Sequence, residues 1–162
     1  MSAARKRQYR ILGKILFVFY IVFVFYFLLV SEIYGRTGEM KDYHYNLVLF
    51  QEIMRFWNYR EQLGMFPVLA NLAGNILIFI PIGFFLPMAS VYRTFGVMVF
   101  ECFFISLVIE VTQLLTKVGC FDVDDLFLNT IGGMMGYLFF VISNEIRRNY
   151  VKKRRKRSKQ GS

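Results

Sequence analysis

The stretch SLVIEVTQLLTKVGCFDVDDLFLNTIGGMMG (Ser106–Gly136) decides how this chain folds. Two apolar runs flank a short loop, and the polar residues are placed rather than scattered. Ser106, Glu110 and Gln113 precede the loop, Asp122, Asp124 and Asp125 lie in it, and Asn129 follows it. Acids and amides set this deep in apolar sequence are costly unless they face a protein interior, a cavity or water. The stretch therefore reads as two membrane-spanning helices meeting at an outer loop. Cys102, Ser106, Glu110 and Gln113 share one helical face, whereas Glu101 lies off it and is expected to reach toward the interface.

Working outward, three more segments complete an all-α membrane bundle. Ile11–Val30 is an apolar run long enough to cross about 30 Å of hydrocarbon, with no small-residue cleavage pattern after it. Pro67–Pro87 is the second span, Thr94–Leu115 the third and Leu126–Ile142 the fourth, so the membrane domain covers 11–145. Residues 1–10 form a basic, unstructured N-terminus and 146–162 a basic tail. In the second span Asn71 and Asn75 stand at i, i+4, and Pro81 and Pro87 each free a carbonyl, which predicts a kink near Leu77–Pro81. Pro81, Gly83, Gly132, Gly133 and Gly136 read as packing devices, Gly132 and Gly136 forming a GxxxG that admits a neighbouring helix closely.

The 162 residues are 56% hydrophobic, with 19 Phe and 10 Tyr, which fits the membrane class better than a soluble core. The formal charge of +9 is concentrated at the two ends. Beside membrane segments such basic runs set topology and meet anionic lipid heads, and no nucleic-acid partner is expected. Both termini are thereby placed in the cytoplasm, with 31–66 and 116–125 outside. Cys102 and Cys120 are expected at different depths and unpaired, and no Cys/His cluster points to zinc or redox chemistry. The only histidine, His44, reads as a solvated loop residue.

The outer connection Ser31–Phe66 carries Leu47, Phe50, Ile53, Met54 and Trp57 at helical spacing, with polar residues opposite. This is an amphipathic helix, either flat on the outer leaflet or packed as a lid over the bundle. Topology then brings Asn71, Asn75, Glu110, Gln113, Asp122, Asp125 and Asn129 to one depth, where they form a candidate polar pocket. The amides can also serve as interhelical hydrogen bonds. Asp122 and Asp124 can cap the start of the fourth helix, and Ser106 can bond its own helix backbone. No cofactor is expected, although oxygen ligands from Glu110, Asp122 and Asp125 leave a divalent cation open.

Four pieces of this chain together resemble the VanZ-like membrane protein family. NLAGNILIFIPIGFFLP (Asn71–Pro87) is similar to its N-x-x-x-N…F-x-P-x-G segment, and SLVIEVTQ (Ser106–Gln113) to its E-x-x-Q helix. DVDDLFLNTIGGMMG (Asp122–Gly136) is similar to its D-x-x-D-x-x-x-N-x-x-G signature. NLVLF (Asn46–Phe50) resembles its N-L-x-P-F element, with Leu49 in place of Pro, and Gly119 stands where many members carry Arg. The resemblance implies a place in the bacterial cell envelope and a link to low-level resistance to the glycopeptide teicoplanin. The partners it suggests are membrane lipids, a lipid-linked wall precursor or a lipoglycopeptide. Three activities stay open. The polar pocket can bind such a head group. It can modify a lipid-linked substrate with Glu110 and Asp125 as acid/base or metal ligands. Or the protein is a non-catalytic scaffold working through the GxxxG and the basic tail.

Overall fold

A computed structural model describes residues 3–35 and 43–160. Residues 36–42 of the expected outer connection, with 1–2 and 161–162, lie outside the described residues. The elements are α1 (Ala3–Gly35), β1 (Tyr45–Asn46), α2 (Gln51–Asn58), α3 (Arg60–Leu63), α4 (Met65–Ala89), α5 (Phe95–Thr116), β2 (Phe121–Asp122) and α6 (Val123–Gln160). Four of them contain stretches long and apolar enough to cross a membrane: Arg7–Leu28, Val68–Ala89, Phe95–Thr116 and Val123–Arg154. The chain is a multi-pass membrane bundle.

Two ends differ from the sequence reading. The N-terminal basic residues are helical from Ala3 rather than unstructured, and α6 runs on through the basic tail to Gln160. Lys, Arg, Gln and Ala are strong helix formers, and no Gly or Pro interrupts either stretch. A 38-residue helix is about 57 Å long, nearly twice the hydrocarbon thickness. The amphipathic helix is shorter than expected and begins at Gln51. Its start is set by Asn46, whose Oδ1 accepts the Val48 N–H at 3.0 Å and turns Leu47–Phe50 out of helical geometry.

α4 and α6 form the centre of the bundle. α1 packs on the outer side of α4, and α5 on α6. Joined through the antiparallel α5, α4 and α6 run in the same direction. Their approach is set by glycine. A Cβ on Gly132 would collide with the carbonyl of Ile76, one on Gly136 with that of Ile80, and one on Gly83 with that of Gly133. The four-residue step from Gly132 to Gly136 thus matches the step from Ile76 to Ile80 across the seam, and backbone meets backbone. On the other side, a Cβ on Gly133 would fall 2.5 Å from Cys102 Sγ of α5. α4 passes through Pro81 and Pro87 as one continuous helix.

The core is Val24, Phe79, Ile82, Leu86, Met98, Cys102 and Ile109. The Tyr20 hydroxyl donates to the Ile78 carbonyl at 2.9 Å, tying α1 to α4. The outer surfaces carry exposed aromatics such as Phe19, Phe66 and Phe100, which suits a hydrocarbon solvent in which backbone polar groups are already paired within helices. Glu101 meets Ser90 at the end of α4, and its Oε2 is buried without a hydrogen bond among the described residues.

Away from the termini, the loops before α2 and α6 are clasped together. β1 and β2 pair in parallel, Tyr45 opposite Phe121 and Asn46 opposite Asp122, and the Phe121 N–H donates to the His44 carbonyl at 3.1 Å. α5 ends at Lys117 in the left-handed conformation, φ 55, with the Val118 and Gly119 N–H groups both bonded to the Gln113 carbonyl at 3.2 Å. That sharp stop turns the chain straight into β2.

Candidate functional site: a polar cluster at the clasped end

The clasp gathers polar residues of α5, α6 and the two loops into one hydrogen-bonded group, and two further amide pairs lie beside it. Glu110, 2% exposed on α5, receives the Asp122 N–H on Oε2 at 3.2 Å. Asp122 Oδ1 accepts the Asp124 N–H at 2.8 Å, which caps α6, and also the Asn46 side-chain amide at 3.1 Å. The Asp124 carboxylate turns away from its own helix. It accepts the backbone N–H groups of Phe50, Glu52 at 2.9 Å and Ile53 at 3.1 Å. These are free donors of the first turn of α2, where the helix end also favours negative charge. Asp124 thus caps α2, an element more than 70 residues away, and not the start of α6 as its position in sequence suggested.

This capping holds Phe50 in the left-handed region, φ 68 and ψ 6. A bulky residue rarely adopts that conformation, and it persists only where surroundings enforce it. Here Asp124 fixes the Phe50 N–H, and the Phe127 ring of α6 meets the Phe50 ring edge-on at 5.5 Å. α2 is therefore tied to the bundle at its N-terminus, as a lid is, while Met54 and Trp57 stay exposed along it and Leu47 and Val48 on the turn before it, as an interfacial helix requires.

Deeper in the bundle the Asn75 amide donates to Asp125 Oδ1, joining α4 to α6. One turn further along α6, the Asn129 amide donates to Ser106 Oγ of α5 at 2.9 Å. Ser106 thus serves as an interhelical acceptor rather than bonding its own helix, because Asn129 faces it across the α5–α6 seam. Asn129 is 3% exposed, and its carbonyl oxygen is buried with no hydrogen-bond partner among the described residues. Gln113 is buried beside Gly119, where an added Cβ would lie 2.9 Å from Gln113 Cβ. Asn71 is exposed and stands apart from the cluster.

The electrostatics are acidic. Burial raises the Asp122 carboxyl pKa above its ordinary value. The hydrogen bonds from the Asp124 amide and Asn46 oppose that rise, the Asp124 charge adds to it, and the Arg55 guanidinium lowers it. Burial likewise raises Glu52, against the lowering effect of Arg55, whose Nη2 lies 2.7 Å from Glu52 Oε2. Lys117 adds a second cation at the rim, 4.8 Å above the Tyr43 ring. Among the described residues no three His, Cys, Asp or Glu side chains are grouped so as to hold a metal ion. The carboxylates of Glu110, Asp122, Asp124 and Asp125 are each turned to amide donors.

The model of one protein family, VanZ/LLP1, matches residues 17–144. This chain belongs to that family. Protein VanZ of Enterococcus faecium is 30% identical to it over 110 residues, covering 61% of this chain and 67% of the relative. No solved structure matches it. The VanZ/LLP1 region contains the whole polar cluster, from Asn46 to Asn129.

Two participants in this VanZ/LLP1 cluster escape a reading by helix periodicity. Asn46 ends the short strand β1, and its signal is local: an Asn two residues before Val48 whose side chain can form a turn. Asp124 carries no sequence signal for its partner, because the α2 donors it binds are backbone groups.

Proposed function

We propose that this protein sits in the bacterial cytoplasmic membrane with both termini in the cytoplasm, and that its polar cluster binds a lipid or lipoglycopeptide head group from the outer side. By this means it would contribute to low-level teicoplanin resistance. The basic residues at the two ends support the orientation. The observation that carries the reading is the buried carbonyl oxygen of Asn129, unpartnered among the described residues and one turn along α6 from Asp125. A buried acceptor without a donor is costly, and a ligand hydroxyl, amide or ammonium group relieves that cost. The acidic rim attracts such donor-rich head groups, and the exposed apolar side of α2 offers a resting place for an attached acyl chain.

The test replaces Asp125 with Asn, Glu110 with Gln and Asn129 with Leu, each at wild-type membrane abundance. Teicoplanin susceptibility is expected to rise toward that of cells lacking the protein. Purified protein is expected to bind teicoplanin, and the variants to bind it more weakly. Unchanged susceptibility and binding in all three variants would refute the proposal.

A further inference from the structure

The opposite end of the bundle holds a cavity of about 780 Å³ between α1, the α4–α5 turn and α6. It is lined by Arg7 and Arg10 of α1, Arg93 of the turn and Arg147 of α6, and among the described residues no acidic side chain lines it. Among the described residues, Arg7, Arg10 and Arg93 have no ion-pair partner. Arg147 is held in place from two sides. Its Nη2 donates to Asn144 Oδ1 at 2.7 Å, and its guanidinium lies 5.1 Å above the Tyr9 ring. The floor is apolar: Phe84 of α4 and Phe140 of α6 meet edge to face at 6.2 Å.

Four guanidinium groups around one cavity repel each other unless an anion joins them. The guanidinium fork suits phosphate oxygens in particular. The depth also fits a lipid. Arg7 opens the first apolar span, and Arg93 lies in the short turn between the spans that end at Ala89 and begin at Phe95. Side chains there are level with lipid phosphates, and basic pockets between membrane helices are known to take anionic head groups. A free phosphate would leave the aromatic floor bare, whereas the first methylene groups of an acyl chain would cover it.

We propose that this cavity binds an anionic phospholipid, its phosphodiester held by Arg7, Arg10, Arg93 and Arg147 and its upper acyl chain packed on Phe84 and Phe140. The site is separate from the polar cluster at the clasped end, and it does not depend on which side of the membrane the termini occupy.

Native mass spectrometry of the full-length protein in detergent tests this directly. Phosphatidylglycerol is expected to be retained ~10-fold better than phosphatidylcholine, whose choline cation meets four arginines. Arg10→Gln combined with Arg93→Gln is expected to abolish that preference. Lys152→Gln combined with Lys153→Gln, on the exposed end of α6, is expected to keep it. Equal retention of the two lipids by the wild type overturns the proposal, and that comparison stands even if the arginine variant does not accumulate. So does an unchanged preference in the arginine variant, or its equal loss in the lysine variant. Glycerol 1-phosphate that displaces the lipid at equal concentration would show that the site takes a soluble phosphate, which also overturns it.

Discussion

Replacing Asp124 with Ala should release α2 from the bundle without unfolding the four long helices. The carboxylate is 1% exposed and accepts three backbone N–H groups from Phe50, Glu52 and Ile53. Hydrogen bonds to a charged group contribute about 1.5–3 kcal/mol each. Three donors sharing two oxygens act as roughly two independent bonds, which gives a local loss of ~3–6 kcal/mol. An eight-residue helix has little stability of its own, and Phe50 loses the contact that enforces its left-handed backbone. The opening equilibrium of 50–58 should therefore shift by ~100- to 20,000-fold, a factor of ten for each 1.4 kcal/mol. Hydrogen exchange followed by mass spectrometry, on protein in lipid nanodiscs, reads this out by segment. Amides of 50–58 should exchange faster by that factor, and those of α4 and α6 at wild-type rates. Unchanged exchange in 50–58 would refute the capping role, and faster exchange throughout α6 would show that Asp124 supports the bundle itself.

Two further outcomes follow from the packing and the charges. Gly132→Ala forces a methyl group into the Ile76 carbonyl and should cost about 1–3 kcal/mol, lowering the thermal unfolding midpoint in detergent; Gly74→Ala, where no atom lies within 4 Å of the added Cβ, should not lower it. Because burial raises the Asp122 pKa in the fold, the folded protein binds that proton more tightly than the unfolded chain does. The group's contribution is therefore most favourable below the unfolded value near pH ~4 and weakens as pH rises through the folded value. The midpoint of the wild type relative to Asp122→Asn should increase on acidification from neutrality; a constant or decreasing difference refutes the assignment, with Glu52, Asp124, Glu110 and Arg55 present in both proteins.

The spans and the family were legible because apolar length and residue spacing are one-dimensional signals. So was the depth at which Asn75, Glu110, Asp125 and Asn129 lie, since depth follows from counting along a helix. Direction around the helix axis was less so. Asn71 sits one turn above Asn75 on the same broad face, yet α6 starts only at Val123 and offers it no partner there. Partners remote in sequence were not legible at all. Asp124 looked like a cap for its own helix because it stands two residues inside the start of α6, the position a short-range rule favours. The structure gives that donor to Asp122 and frees Asp124 for α2. The same holds for Ser106, since nothing in its own helix reveals that Asn129 lies across the seam.

The two-residue parallel clasp has a consequence for biogenesis. Asn46 and Asp122 are 76 residues apart, and α4 and α5 lie between them. Closing so long a loop for two backbone pairs is unfavourable until the intervening helices have been threaded and docked. During synthesis the Tyr43–Asn58 segment emerges first, and its partner strand follows only with the last hairpin. The Asn46–Asp122 bond is thus a closing event, and a chain stalled before Phe121 can insert three helices and still lack the clasp.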